Sequence, residues 1–163
     1  MSEIRIRDAL CDDAPFLVEC NAAMARETEN KTLDLAVLAL GTRAVFEQPS
    51  RGFYLVAERA SERVGCLLVT TEWSDWRNGD WWWIQSVYVV AGARRSGVFR
   101  ALYAETERRA RAKPGVVGLR LYVEWENRHA QRTYAALGMT QAHYHLYQRS
   151  FIDLDRASAE SSA

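Results

Sequence analysis

The chain has 163 residues, which is long enough for one domain around a single core and short for two. Hydrophobic residues make up 48% and charged residues 26%, a balance that excludes a disordered, collagenous or coiled-coil chain. The 21 basic side chains match 21 acidic ones, so a general nucleic-acid or anionic-membrane binder is disfavoured and only a local basic loop stays open.

Residues 1–155 read as one domain and 156–163, small and polar, as a tail expected to fray. The start, Met1-Ser2-Glu3-Ile4-Arg5-Ile6, has no apolar leader core, and no apolar run approaches the ~18 residues of a membrane span. A cytoplasmic protein is the expectation. Cys11, Cys20 and Cys66 are scattered and read as reduced thiols; with His129, His143 and His145 they follow no ligand spacing, so no metal site is expected.

Ile4 and Ile6 alternate with charged residues, giving a first short strand. Asp12 and Asp13 before Pro15, then Phe16, Leu17, Cys20, Ala23 and Met24, set a helix from about residue 13 to 29. A polar stretch over 26–31 carries Glu27 and Glu29 and separates it from a second helix over 34–47. After the turn at 49–52, residues 53–57 and 64–71 read as two strands of a meander.

Asn78-Gly79 between two aromatic runs is the chemistry of a two-residue type I′ hairpin. Counting back from an Arg77–Asp80 pair sets Ser74 opposite Trp83 and Glu72 opposite Gln85 on one face, with Trp82, Ile84, Ser86 and Tyr88 on the other. Both faces carry large apolar groups, so this strand is expected to be central and covered on both sides.

Residues 84–102 run from that strand through a basic loop containing Gly97 into a helical pattern. A loop that opens a helix presents unpaired backbone N–H groups at the positive end of the helix dipole, a setting that suits a pyrophosphate. An ordinary strand-to-helix turn with solvated arginines accounts for the loop alone equally well. A Walker A site is excluded because no Gly-Lys-Ser/Thr follows, and the dinucleotide fingerprint because only one glycine is present. The helix ends at Lys113-Pro114-Gly115, and 116–123 returns as a strand, expected to be parallel through a right-handed crossover.

The run Val87-x-Val89 followed by Arg94-x-x-Gly97-x-Phe99 resembles the acetyl-CoA-binding signature of the GNAT N-acetyltransferases, usually Arg/Gln-x-x-Gly-x-Gly/Ala after a Leu-x-Val strand. Phe99 departs from it, standing where the family has a small residue, and is expected to narrow the space beside the pyrophosphate. From Asn127 to Met139 the chain is similar to the family's second signature, Asn-x-x-Ala-x-x-x-Tyr-x-x-x-Gly-Met/Phe, matched by Asn127, Ala130, Tyr134, Gly138 and Met139. Read without the family, this second stretch is a short helix capped by Asn127 and closed at Gly138, with Ala130, Tyr134 and Leu137 on one face, and a core tyrosine explains it. Residues 143 and 145 are expected on one face of a later strand.

The resemblance implies an α/β (α+β) GNAT fold, a mixed, mostly antiparallel sheet of about six or seven strands with about four helices. Its two central parallel strands splay at a bulge to leave a notch for CoA. It implies direct transfer of an acetyl group from acetyl-CoA to a neutral amine. Val87, Tyr88 and Val89 would face the pantetheine amides. Arg94, Arg95, Ser96, Gly97, Val98, Phe99 and Arg100 would form the pyrophosphate loop, Asn127 and Ala130 would lie beside the arm, and Tyr134 would protonate the leaving thiolate. Glu72 is the first candidate for the base, because the family's usual glutamate position holds Trp83, and Glu124 is the second. Glu27, Glu29, Trp73, Trp83 and Gln85 form the expected acceptor wall, with cation–π contact to an amine. Some of these indoles could instead be core or cover a homodimer surface. A catalytically idle acyl-CoA sensor and a nucleotide-phosphate-binding interaction module are the alternatives.

Overall fold

A computed structural model describes residues 3–152, and the expected tail at 156–163 lies outside them. Five strands form one sheet in the order β1-β2-β3-β4-β5. They are β1 (Ile4–Asp8), β2 (Phe53–Arg59), β3 (Glu62–Ser74), β4 (Gly79–Val89) and β5 (Val116–Leu121). The first four pair antiparallel and β5 pairs parallel to β4, so the sheet is mixed, as expected. Four helices accompany it: α1 (Ala14–Glu29), α2 (Leu35–Glu47), α3 (Val98–Ala112) and α4 (Arg128–Ala136). None of the helices among the described residues is long and apolar enough to cross a membrane.

The helix ends follow local chemistry. Pro15 stands in the first turn of α1, and Asn30 closes it in the left-handed conformation. Asp34 caps α2 by accepting from the Ala36 and Val37 amides. Asn127 caps α4 through the Ala130 amide at 3.0 Å. At its other end, Met139 N–H donates to the Tyr134 carbonyl and Gly138 N–H to that of Ala135, a Schellman closure.

Each face of the sheet has its own core. On one side Leu55, Leu67, Val69, Trp82 and Ile84 meet Val98 and Leu102 of α3. On the other, Tyr54, Val56 and Cys66 meet Leu17 and Cys20 of α1. Where β1 meets α1, the 1% exposed Asp13 carboxylate holds the guanidiniums of Arg7 and Arg63 and the Leu10 amide.

Three expectations are corrected. Among the described residues the sheet has five strands, not six or seven, because residues 140–152 join no ladder; His143 and His145 are exposed and share no strand. The hairpin has a four-residue loop, 75–78, with Ser74 opposite Gly79. Asn78 takes the left-handed conformation (φ 45°) within that loop, whereas Gly79 is already in the strand. A Cβ on Gly79 would sit 2.6 Å from the Gly115 carbonyl oxygen, so the glycine serves a close approach to the start of β5. In consequence Glu72 is opposite Trp81 rather than Gln85, and Gln85 is opposite Leu68.

Candidate active site

The site forms where β4 and β5 part. Their parallel pairing ends at Ile84 and Leu121, while β4 continues to Val89. From Gln85 onward the β4 backbone groups that face β5 have no strand partner among the described residues, and a notch opens between the two strands. At the same point β4 carries a bulge: Leu68 pairs with Gln85 but Cys66 pairs with Tyr88, so β4 holds one residue more than β3. Ser86, in the bulge, stands at φ 46°, a conformation that a non-glycine residue holds at a cost and that favours a functional location.

Below the notch, residues 94–97 turn into α3. Arg95 (φ 58°) and Gly97 (φ 88°) take left-handed conformations, and such a turn gathers successive amides on one side. The backbone N–H groups of Arg95 to Arg100 have no acceptor among the described residues, whereas Ala101 N–H already bonds to the Gly97 carbonyl. These orphan donors at a helix N-terminus fit a pyrophosphate. The loop is held from behind by Arg59, whose guanidinium donates to Ser96 Oγ at 2.7 Å and to the Ser96 carbonyl oxygen at 3.3 Å. No sequence signal singled out Arg59.

Phe99 stands in the first turn of α3 and lines the cleft beside the loop. Its ring packs between α3 and α4, 5.8 Å from the Tyr134 ring at 70° and 6.2 Å from that of Tyr103. Arg100, His129, Arg132 and Thr133 line a cleft of about 260 Å³ beside it. His129, Arg132 and Thr133 were not expected at the site, although their place one turn or less from Asn127 and Tyr134 makes them legible afterwards.

Tyr134 is half-buried on α4, and its hydroxyl has no partner among the described residues; burial pushes its phenol above the ordinary value. Asn127 acts on it through the helix cap, and Ala130 is half-buried one turn before it.

On the α1 side of the sheet the bulge brings Tyr88 to the end of α1. The Tyr88 hydroxyl donates to Glu27 Oε1 at 2.8 Å, and Arg94 pairs with the other carboxylate oxygen. Arg94 Nε also donates to the Val89 carbonyl oxygen at 3.0 Å, and its guanidinium lies 5.3 Å from the Tyr88 ring. The Tyr88 hydrogen bond and then Arg94 hold the Glu27 carboxyl below the usual carboxylate range. Glu29 is exposed and paired with Lys31.

Glu72 lies elsewhere. It is level with Trp81, six strand positions before Val87 and so roughly 20 Å along β4. Its carboxylate accepts from Trp83 Nε1 and from Arg120 Nη1. The Arg120 guanidinium lies 4.1 Å from the Trp81 ring centroid and 5.8 Å from that of Trp83, so the acidic, aromatic pocket expected for a substrate cation already holds one of the chain's own. Trp83 also stacks on Tyr122 at 4.4 Å, Trp73 is exposed, and Gln85 donates to Thr70. Glu124 lends its carbonyl oxygen to the Asn127 N–H and to the Gln131 side chain at the cap of α4.

With this geometry in place, the comparisons are specific. The sequence profile of the Acetyltransferase (GNAT) family matches residues 14–139. A possible acetyltransferase from Clostridium difficile 630 is 40% identical and superimposes with a TM-score of 0.86 over 92% of this chain and 99% of its own. At 15% identity the likeness is one of fold alone. A ribosomal-protein-alanine N-acetyltransferase from Brucella melitensis biovar Abortus 2308 gives a TM-score of 0.72 over 91% of this chain and 100% of its own. An aminoglycoside N-acetyltransferase in complex with CoA gives 0.73 over 93% and 97%. No protein of curated function matches the sequence.

Proposed function

Since the chain belongs to the GNAT acetyltransferase family, whose members use acetyl-CoA, we propose that it transfers the acetyl group directly to a primary amine of a small, cationic acceptor in the cytoplasm. The observation that carries this reading is the open notch flanked by two things: a helix-opening loop of unpaired amides and a tyrosine hydroxyl without a protein partner.

Acetyl-CoA supplies the thioester carbonyl that the amine attacks. Between Val87 and Val89 the β4 backbone groups that face away from β3 are suited to the pantetheine amides, in the manner of strand addition, once Arg94 leaves the Val89 carbonyl oxygen. One of their N–H groups polarises the carbonyl. The amides of Arg95, Ser96, Gly97, Val98, Phe99 and Arg100 hold the pyrophosphate, while Arg100, His129 and Arg132 face the remaining phosphate of the nucleotide end. Tyr134 gives its proton to the departing thiolate; its raised pKa keeps that proton in place at neutral pH.

An alkylammonium near pKa ~10 has to lose a proton before attack, and that proton passes to solvent water at the open notch. Glu27 is the carboxylate beside the notch and attracts the ammonium. Arg94 can exchange Glu27 for a phosphate oxygen when the cofactor site fills, which leaves Glu27 to the acceptor. Glu29, Trp83 and Gln85 then stand nearest on the outer wall and contribute shape, whereas Trp73, level with Asp80, lies farther along β4 than Glu72 and takes no part.

The test is thiol release from acetyl-CoA with a panel of polyamines, amino acids, arylamines and peptide N-termini. Acceptor-dependent release that collapses in Tyr134→Phe supports the proposal. CoA binding with no release across the panel turns the reading into an idle acyl-CoA sensor, and binding of ATP in preference to acetyl-CoA turns it into a nucleotide-phosphate module.

A further inference from the structure

Arg59 ends β2 at a corner of the sheet, paired with Ile4 of β1 on one side and Glu62 of β3 on the other. Between Arg59 and Glu62 stand only Ala60 (φ 49°) and Ser61 (φ 67°), both left-handed, the path of a two-residue hairpin turn built here without glycine. The loop that opens α3 backs onto the same corner, since a Cβ added to Gly97 would stand 4.0 Å from the Ile4 side chain. The Arg59 guanidinium reaches Ser96 from behind, at 2.7 Å from Oγ and 3.3 Å from the carbonyl oxygen. Ser96 Oγ in turn donates to the Ala93 carbonyl oxygen. Ser96 is thereby fixed between Arg95 and Gly97, the two left-handed residues whose turn gathers the free amides.

The charge of Arg59 sets it apart. Four arginines among the described residues are half-buried: Arg7, Arg59, Arg109 and Arg120. Arg7 pairs with Asp13 and Glu58, Arg109 with Asp8 and Glu105, and Arg120 with Glu72. Arg59 has no carboxylate partner among the described residues, and both of its acceptors are uncharged. Its Nε is buried without any acceptor. A charge drawn partly out of water is costly until an opposite charge comes near. An unneutralised guanidinium behind six unpaired amides, those of residues 95–100, therefore marks a place prepared for an anion.

Resting on the acetyltransferase reading, we infer that Arg59 is the positioning residue of the pyrophosphate loop: it sets the loop through Ser96 and supplies, from behind the amides, a fixed positive charge that the pyrophosphate of acetyl-CoA neutralises. It touches Ser96 and neither the thioester nor the acceptor. Its effect therefore belongs to cofactor affinity and not to the rate of transfer.

The test compares wild type, Arg59→Met and Arg59→Lys as full chains. Arg59→Met, similar in length and uncharged, should weaken CoA and dephospho-CoA by the same factor, about 10- to 100-fold by calorimetry, because both ligands carry the pyrophosphate. Arg59→Lys keeps the charge without the planar fork and should recover most of that loss. Without ligand, Arg59→Met should melt within about 3 °C of wild type, since no carboxylate is left stranded. The rise that one fixed CoA concentration produces should shrink. In turnover, kcat at saturating acetyl-CoA should hold within about threefold, and kcat/KM for S-acetylpantetheine, which lacks the pyrophosphate, should not change.

A CoA affinity of Arg59→Met within about threefold of wild type overturns the inference. So does an equal fall for S-acetylpantetheine, or a lowered ligand-free melting temperature with an undiminished rise on CoA, either of which makes Arg59 a support of the fold alone. A lysine variant as weak as the methionine variant overturns the role of the charge. Wild type that binds no CoA overturns the inference together with the acetyltransferase reading. CoA binding without acyl transfer withdraws only the transfer chemistry, and the calorimetric loss in Arg59→Met then still supports the role of Arg59.

Discussion

Tyr134→Phe removes one oxygen from the candidate site and little else. The ring lies edge-on against Phe99, with centroids 5.8 Å apart, and that contact survives in phenylalanine. The hydroxyl bonds to nothing among the described residues, so its loss should change folding stability by less than about 0.5 kcal/mol. If it delivers a proton to the leaving thiolate, kcat should fall by ~10²–10⁴, which is roughly 3–5 kcal/mol of barrier. Acetyl-CoA affinity should stay within about threefold, because pantetheine and phosphates are held by main chain and arginines. Initial rates of thiol release at saturating acetyl-CoA and acceptor give kcat, calorimetry gives the CoA affinity, and a thermal melt controls for folding. Because burial raises the phenol's pKa above the ordinary ~10, wild-type kcat should show no alkaline loss from this group below that pH. A kcat within threefold of wild type at an unchanged melting temperature would refute the acid role and return Tyr134 to the core.

Glu72→Gln should leave kcat within about threefold and cost less than ~1 kcal/mol of stability, since its pair with Arg120 is solvent-exposed and remote from the bulge; a hundredfold loss in kcat would restore it as the base. Glu27→Gln should raise the acceptor KM about five- to tenfold with acetyl-CoA KM unchanged or lower, read from amine titrations; a loss confined to kcat would make Glu27 the proton acceptor itself. Arg100→Glu and Arg132→Glu should each raise the acetyl-CoA KM about tenfold, yet leave the KM of acetyl-dephospho-CoA nearly unchanged, if the cleft they line receives the extra phosphate. Asp13→Asn leaves Arg7 and Arg63 without their shared buried carboxylate and should cost ~3 kcal/mol, or roughly 6–12 °C in melting temperature, measured by thermal and urea unfolding. Its carboxyl is held below the ordinary value, first by the Arg7 hydrogen bond. Asp13 therefore contributes stability above the unfolded pKa of ~3.9, and that contribution should disappear from the wild type as pH falls below it.

What was legible in the sequence was what short stretches decide. The ends of α1, α2 and α4 follow from Pro15, Asn30, Asp34, Asn127 and Gly138, each acting within a turn of itself. That the loop opens α3 with unpaired amides was legible because backbone donors at a helix start need only the right local path. The hairpin register was not, because Asn78-Gly79 serves two purposes at once. Asn78 answers the turn, but Gly79 answers Gly115, 36 positions on, and local chemistry cannot separate the two. The strand count failed for a related reason: residues 140–152 have strand composition, but composition does not decide pairing, and they join no strand among the described residues. Arg59 and the Glu27–Tyr88–Arg94 group join elements far apart in sequence, and polar side chains on helix ends and loops carry no periodicity that would announce such a meeting.

The bulge at Ser86 ties these parts together. Paired residues of neighbouring strands point to the same face, and Leu68 and Cys66 both face α1. Had β4 continued from Gln85 without interruption, Val87 would lie opposite Cys66 and face α1, and Tyr88 would turn into the α3 core. The extra residue reverses this: Val87 and Val89 pack with the α3 core and Tyr88 faces α1, where its hydroxyl finds Glu27. β5 leaves β4 at the same level, immediately after Ile84. One inserted residue thus both frees the β4 backbone for a ligand and aims the side chain that holds the acidic end of α1 beside it. The left-handed strain at Ser86 is offset by those two arrangements together, which is why a change there should disturb cofactor and acceptor binding at once rather than either alone.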